Sequence, residues 1–337
     1  MERIKIFKRP KLKSPYLIVA WPGMGEVAYK SAAYLVEKLK AEKFASLLPE
    51  DFFYLTGSVI EKGLLTLPEM PASNFYYWKN PGARTQGALK DFLGKPAKND
   101  LIIFLSDAQP DLSKADTYCK EIISFAKAQG VKLVFGFAAM PQPIDHLQPA
   151  GVWFTATTPE LNNNLKKYNL KLMPEGQISG MNGLFLGFAK KEGLKGICLL
   201  GEIPLYTIQI ENPKAVHSVL EALTKILNLK IDFGDLIERE RILEEEINQL
   251  MDYLKLGPQV QVGPIQEEDI ERIKKSLSEL SKLPISVKEK IEKLFAQAKS
   301  DISKAKELKA ELDRWSAYKE YEDRFLDLFK KAKDKDN

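Results

Sequence analysis

Between Tyr16 and Tyr34 the chain reads YLIVAWPGMGEVAYKSAAY: an apolar run breaks at Pro22-Gly23-Met24-Gly25 and resumes with helical spacing of its apolar residues. The pattern predicts strand, tight turn and helix, because the glycines let the chain reverse without a Cβ clash and the helix then opens with N–H groups that have no partner inside it. Such a turn marks the carboxyl edge of an α/β sheet, where these folds place their sites. Gly23-x-Gly25-x-x-Ala28 also fits the loose dinucleotide fingerprint, with Glu50 and Asp51 at the distance of a ribose-binding acid. Three features oppose that match. Pro22 precedes the first glycine, Glu26 would set a carboxylate where pyrophosphate should lie, and residues 44–51 hold no clean strand ending in an acid. A structural turn or an interface loop is the better reading.

From Tyr16 to about Lys230 the same alternation continues, which predicts a parallel or mixed sheet covered by helices. The strands are expected at Tyr16–Trp21, Asn74–Trp78, Leu101–Ser106, Val131–Phe137, Val152–Thr155 and Gly196–Leu200. The helices are expected at Glu26–Lys40, Lys114–Gln129, Pro159–Tyr168, Ser179–Glu192 and Pro213–Leu227, with Gly130 and Gly193 at C-terminal caps. After Phe233 glycine almost vanishes and Glu, Lys, Leu and Ile dominate. The composition therefore divides the chain into an α/β core, residues 1–234, and an all-α, partly coiled-coil-like extension, residues 235–337. Leu243, Ile247, Leu250 and Leu254 share one face of a first helix, and LGPQVQVGPIQ reads as a linker. Glu268–Leu283 is expected to form a second helix that Pro284 stops. A third, from Val287 to about Ala332, carries Leu294, Ala298, Ile302, Ala305, Leu308, Leu312 and Trp315 at the spacing of a coiled-coil seam or helical hairpin. Helices packed on each other and on the core are the simplest account of it; a partner-binding arm is the other.

Several functions are disfavoured by composition. The 50 basic and 46 acidic side chains leave a net charge of +4, too small and too evenly spread for a nucleic-acid-binding face. Cys119 and Cys198 are far apart and suggest neither a disulfide framework nor zinc. The start, MERIKIFKRPKLKSP, has no apolar signal region, and no apolar run reaches the roughly 20 residues of a membrane span, so a cytoplasmic location without membrane attachment is expected. The two histidines, His146 in a Pro-rich loop and His217 in an amphipathic helix, lack any catalytic motif, and a lone histidine is more often structural. HExxH, P-loop and GxSxG patterns are missing from the chain, so no metal ligand, cofactor or catalytic residue is assigned.

A second glycine-bearing segment, Gln177–Tyr206, reads QISGMNGLFLGFAKKEGLKGICLLGEIPLY. Ser179 is placed at the N-cap. Gly180, Gly183 and Gly187 recur on a helix that another backbone approaches, and Leu184, Leu186 and Phe188 supply packing. The next strand runs into a turn at Gly201-Glu202-Ile203-Pro204. The two turns would then line one rim, with Pro22, Gly23, Met24, Gly25, Ser179, Gly180, Asn182, Gly201, Glu202 and Pro204 as its candidate residues.

Taken together, Pro22-Gly23-Met24-Gly25, Ile178-Ser179-Gly180-Met181-Asn182-Gly183-Leu184 and Gly201-Glu202-Ile203-Pro204 resemble, in order and spacing, the motifs of the proteasome assembly chaperone family. The resemblance covers residues 10 to about 230, and longer prokaryotic members share a helical C-terminal extension. It implies a three-layer α/β/α fold similar to nucleoside phosphorylases and hydrolases, homo-oligomeric assembly, no cofactor, and ATP-independent binding of proteasome subunits or another assembly. Members that dock on the proteasome's end surface share a C-terminal hydrophobic-Tyr-x tail, whereas this sequence ends Lys335-Asp336-Asn337, so docking by that route is not expected. The expectation is a non-enzymatic, protein-binding chaperone-like protein. Its rival is a nucleotide or phosphate-ester binder or enzyme using Gly23, Gly25, Ser179, Asn182 and Glu202, with helix N-termini holding the anion.

Overall fold

The computed structural model describes residues 3–81, 99–256, 285–301 and 304–314, together with six positions between 318 and 328. The long apolar runs become the centre of the sheet. Tyr16–Ala20 and Leu101–Ser106 are buried along their whole length, the pattern of strands covered on both faces. In chain order the strands are β1 (Ile4–Ile6), β2 (Tyr16–Ala20), β3 (Glu42–Leu47), β4 (Val59–Glu61), β5 (Leu64–Thr66), β6 (Ser73–Trp78), β7 (Leu101–Ser106), β8 (Leu133–Gln142), β9 (Val152–Ala156), β10 (Lys171–Leu172) and β11 (Lys195–Pro204). Nine of them form one mixed sheet in the order β1-β3-β6-β7-β2-β8-β11-β9-β10, and β4 and β5 pair separately. Strands β7, β2, β8 and β11 are mutually parallel, so the loops that follow them share one edge.

The helices of the core are α1 (Val27–Lys38), α2 (Ala115–Ala128), α3 (Pro159–Leu165), α4 (Met181–Lys191) and α5 (Pro213–Leu227). Helices α1 and α5 pack together on one face of the sheet, and α2 and α4 pair on the other. Trp21, Phe75, Phe104, Tyr118 and Phe185 fill the second interface, all fully buried. The Trp21 indole donates to the Tyr118 hydroxyl at 3.2 Å, and Ser73 and Ser106 join the same buried network. Each polar tip in this aromatic layer thus finds a partner.

The three-layer reading of the core holds, with differences that have local causes. Strand β3 lies in a segment without a clean strand pattern: it begins with two exposed charged residues and its pairing with β6 shifts between Lys43 and Ala45. Residues 201–204 are not a turn. They continue β11 in register with β8 as far as the pair Pro204–Gln142. With β2 ended at Ala20, that stretch of β8 has a sheet neighbour on one side only, where proline is tolerated.

Compact packing closes a first unit at residues 1–263 and a second at 264–337. The helix α6 (Gly234–Leu256), which composition assigns to the extension, therefore belongs with the core and packs on α5. Leu236 and Ile247 are buried there. Its start is tied to α1, where the Tyr34 hydroxyl donates to Asp235 at 2.7 Å and Lys38 pairs with Asp235 at 2.9 Å. In the second unit α7 (Ile285–Ser300) and α8 (Ala305–Arg314) pack on each other around Leu294, Phe295, Ala298, Leu308 and Leu312. The single helix expected from Val287 is interrupted at Asp301, whose carbonyl accepts from the Lys304 N–H. The expected linker 256–266 falls almost entirely, and the expected helix Glu268–Leu283 wholly, outside the described residues, as do Ile302 and Trp315.

Both histidines of the chain reach α6. His217 on α5 pairs through Nδ1 with Glu240 at 2.7 Å, and His146 Nε2 lies 2.9 Å from the Asn248 side-chain oxygen. The hydrogen bond to Glu240 raises the His217 pKa above its ordinary 6.5, against an opposing effect of burial. A raised folded-state pKa contributes stability that is fully present below the unfolded value and is lost as pH rises through the folded one. The urea midpoint of the chain should therefore fall between about pH 6 and about pH 9 by more than that of Glu240→Gln, which removes the charge partner. Parallel pH profiles for the two proteins would refute this assignment.

Candidate functional site

The candidate residues fall into two groups. At the end of β2, the Asn182 side chain closes on the backbone of Trp21 from both sides: the Trp21 N–H donates to Asn182 Oδ1 at 3.0 Å, and Asn182 Nδ2 donates to the Trp21 carbonyl at 2.9 Å. Asn182 is buried, and a Cβ on Gly23 would lie 3.3 Å from its amide nitrogen. Gln109, in the loop after β7, adds a second tie. Its Nε2 donates to the Pro22 carbonyl at 2.8 Å while its Oε1 accepts from the Met181 N–H at 3.1 Å. The first two motifs are therefore one assembled unit, and Gln109, which carries no signal in the sequence, holds it together.

The glycines divide by need. Gly25 (φ +60°) and Gly180 (φ +71°) lie in the left-handed region, and a Cβ on Gly180 would come within 2.7 Å of Gln109. A Cβ on Gly183 would overlap the Ile178 carbonyl, whereas Gly187 faces open space and is not required by packing. Ser179 is exposed and does not cap α4: Gly180 holds that position, and Gln109 supplies the acceptor. Leu184 is exposed, and Phe185 with Met181 and Leu186 packs inward instead.

Gly25 also reaches the third motif's surroundings. Its N–H donates to the Ile208 carbonyl at 2.8 Å and its carbonyl accepts from the Asn212 N–H at 2.9 Å. The following Glu26 takes a left-handed conformation (φ 52°) at the N-cap of α1 and makes no side-chain cap bond. Burial, and to a lesser degree nearby Glu211, raise its pKa against the pull of Lys30. A phosphate at this helix start would meet carboxylates, and the Gly25 N–H it would need is already used.

Gly201, Glu202 and Pro204 lie inside β11. Gly201 is where α5 rests on the sheet, since a Cβ there would meet the Ala215 carbonyl at 2.9 Å. The Glu202 carboxylate turns to the neighbouring strands and accepts from the Gly151 N–H (2.8 Å), the Trp153 indole (2.6 Å) and Lys171 (2.7 Å). Burial acts to raise its pKa, but these donors outweigh it and hold the carboxyl below the ordinary range. Glu202 thus forms its own cluster, apart from the one at Asn182.

A cleft lies where the β8–β9 loop, the start of α5 and α6 meet, lined by His146, Glu202, Asn212, Lys214 and Glu244 among others. Many of its polar groups are already paired within the chain. Lys214 reaches the His146 carbonyl and Glu244, Asn212 caps α5 through the Ala215 N–H, and His146 is held by Tyr206 and Asn248. Among the described residues no group of three or more His, Cys, Asp or Glu is placed to hold a metal ion, and no helix is long and apolar enough to cross a membrane.

The assembled motifs and the mixed sheet have counterparts in known proteins. The model of the PAC2 family matches residues 17–251, and the chain belongs to that family. It is 30% identical over 271 residues to an uncharacterized protein of Methanocaldococcus jannaschii, covering 78% of this chain and 93% of the other. Among solved structures it is similar to PbaB of Pyrococcus furiosus, described as an archaeal proteasome activator, at 28% identity and a TM-score of 0.61, covering 74% of this chain and 100% of PbaB. PbaA of the same organism, described as an archaeal homolog of proteasome-assembly chaperone, shares the fold at a TM-score of 0.54 and 23% identity, covering 75% of this chain and 98% of PbaA. The match to residue 251 takes in most of α6, in agreement with its packing on the core.

If the Asn182 amide joins the two motifs, its removal strands the N–H and carbonyl of a fully buried Trp21. Asn182→Ala should then lower unfolding stability by about 2–4 kcal/mol. Urea denaturation measures it, and a loss under about 0.5 kcal/mol would show that the motifs are held together by something else.

Proposed function

We propose that this chain is a non-enzymatic, ATP-independent assembly chaperone of the PAC2 family that works in the cytoplasm as a homo-oligomer. In this reading it holds proteasome subunits or assembly intermediates against the carboxyl edge of its sheet. The observation that carries it is a contrast at that edge. The Asn182 amide and the Glu202 carboxylate are engaged within the chain, while Leu112, Leu147 and Leu205, on the loops after β7, β8 and β11, are 51%, 56% and 37% exposed. Apolar side chains left in water along one edge suit a protein partner better than an anionic small molecule. The family supports a partner of this class, since PbaB is described as a proteasome activator.

Pull-down of proteasome α subunits by the purified chain tests the reading. Replacing Leu112, Leu147 and Leu205 together by Asp should weaken capture by at least about tenfold, or ~1.4 kcal/mol, with the melting temperature little changed. Native mass spectrometry showing a stoichiometric nucleotide or phosphate ester on the chain, or turnover of one, would instead establish the rival small-ligand reading.

A further inference from the structure

The main sheet ends at β1, which has a neighbouring strand on one side only. The Arg3 carbonyl accepts from the Leu48 N–H and the Phe7 N–H donates to the Phe44 carbonyl, both at 2.8 Å, on either side of the pair Lys5–Ser46. Bonding residues alternate along an antiparallel strand, so the N–H and carbonyl groups of Ile4 and Ile6 point away from β3. Among the described residues no backbone group pairs with them.

This open edge is basic. Lys5, Lys8, Arg9, Lys11, Lys13 and Lys43 are all exposed along it. Lys8 pairs with Glu42 at 2.7 Å, and the other five form no ion pair among the described residues. Asp100, at the same end of the sheet, is buried and accepts from the N–H groups of Lys13 and Asn80. The ammonium groups of Lys5 and Lys43 lie 5.6 and 5.4 Å from the centre of the Phe7 ring, which stays 49% exposed beneath them. Ile6, on the opposite face of the strand, is 38% exposed.

We propose that β1 takes up an extended acidic segment of a partner protein as a further strand, with the segment's carboxylates on the Lys5–Phe7 face and its apolar side chains on the Ile6 face. Lysine on an edge strand keeps out basic and uncharged strands, but opposite an acidic one it forms cross-strand ion pairs. A nucleic acid or an anionic bilayer would also answer the charge. Neither brings the alternating donors and acceptors that Ile4 and Ile6 leave open, whereas an extended peptide meets the charge and the backbone together. The basic end of β1 lies at the amino edge of the sheet, because β1 runs antiparallel to β3, β3 to β6 and β6 to β7. This site therefore stands whether or not the opposite, carboxyl edge holds a proteasome subunit.

Isothermal titration of the full chain with synthetic peptides tests it. A peptide of four Glu-Val repeats should bind and slow hydrogen exchange at the Ile4 and Ile6 amides, while four Lys-Val repeats should not bind. Four Glu-Pro-Pro repeats carry the same carboxylates in a polyproline helix, with an N–H only at every third residue, and should bind at least about tenfold more weakly. The double variant Lys5→Glu/Lys43→Glu, at two exposed positions, should lose at least about tenfold in affinity for the Glu-Val peptide. No binding of that peptide at about 1 mM, or equal affinity for the proline-rich peptide or in the double variant, would overturn the proposal. Binding of phosphatidylserine vesicles or of an oligothymidylate in place of the Glu-Val peptide would overturn it too, and would assign the basic edge to a membrane or to nucleic acid.

Discussion

The contact on which the rest of the site depends is the double hydrogen bond between the Asn182 amide and the backbone of Trp21. Strand β2 ends at Ala20, so the peptide groups of Trp21 leave the ladder inside a fully buried layer, where an unpaired N–H or carbonyl would be costly. An amide side chain is the group that can serve both at once, donating and accepting from one planar head. Because Asn182 sits in the first turn of α4, the same two bonds fix the helix against the end of the strand. The Pro22–Gly25 turn then has a defined place, which Gln109 confirms from the other side through Pro22 and Met181.

How much of this was legible depended on burial. The central strands β2 and β7 are continuous apolar runs because both of their faces are covered, and a run of that kind stands out in any sequence. Strand β3 lies nearer the edge, is charged at its start and shifts register at Lys43, so its six residues show neither a run nor a clean alternation. The stretch Gly201–Pro204 misled for a different reason. Glycine and proline punctuate most chains, but here Gly201 is small because α5 lies on it, and Pro204 closes a ladder with a neighbour on each side only part of the way. The candidate site was half legible. Asn182 is visible as the one polar side chain at the head of an apolar helix, whereas Gln109 is a surface residue of a different loop, and only the fold brings it to both motifs.

The boundary at 234 illustrates the difference between composition and packing. Helix α6 is rich in Glu and Arg because much of its surface faces water, and it therefore resembles the extension in composition. Among its described side chains only Leu236 and Ile247 are buried, yet polar contacts to α1, α5 and the β8–β9 loop hold it from Asp235 to Asn248. A helix docked mainly by such contacts shows a weak apolar stripe, and sequence periodicity alone underweights it.

The same pattern of internal pairing bears on what the carboxyl edge can do. In an α/β protein that binds phosphates, the glycine turn after the first strand leaves its N–H groups open toward the ligand. Here the Gly25 N–H and carbonyl are both taken by the β11–α5 loop, and Glu26 and Glu211 put negative charge beside the start of α1. Glu202, the acid nearest in sequence to a catalytic role, accepts three hydrogen bonds and is held ionised by them. A carboxylate so fully engaged makes a poor proton acceptor, because taking a proton would break bonds that favour the charged form. The motifs therefore act on the loops they join, setting the positions of the β7–α2, β8–β9 and β11–α5 connections. Of the exposed leucines on those connections, Leu205 lies on the one that Gly25 bonds through Ile208 and Asn212, so the turn after β2 and the surface at Leu205 are tied by backbone hydrogen bonds.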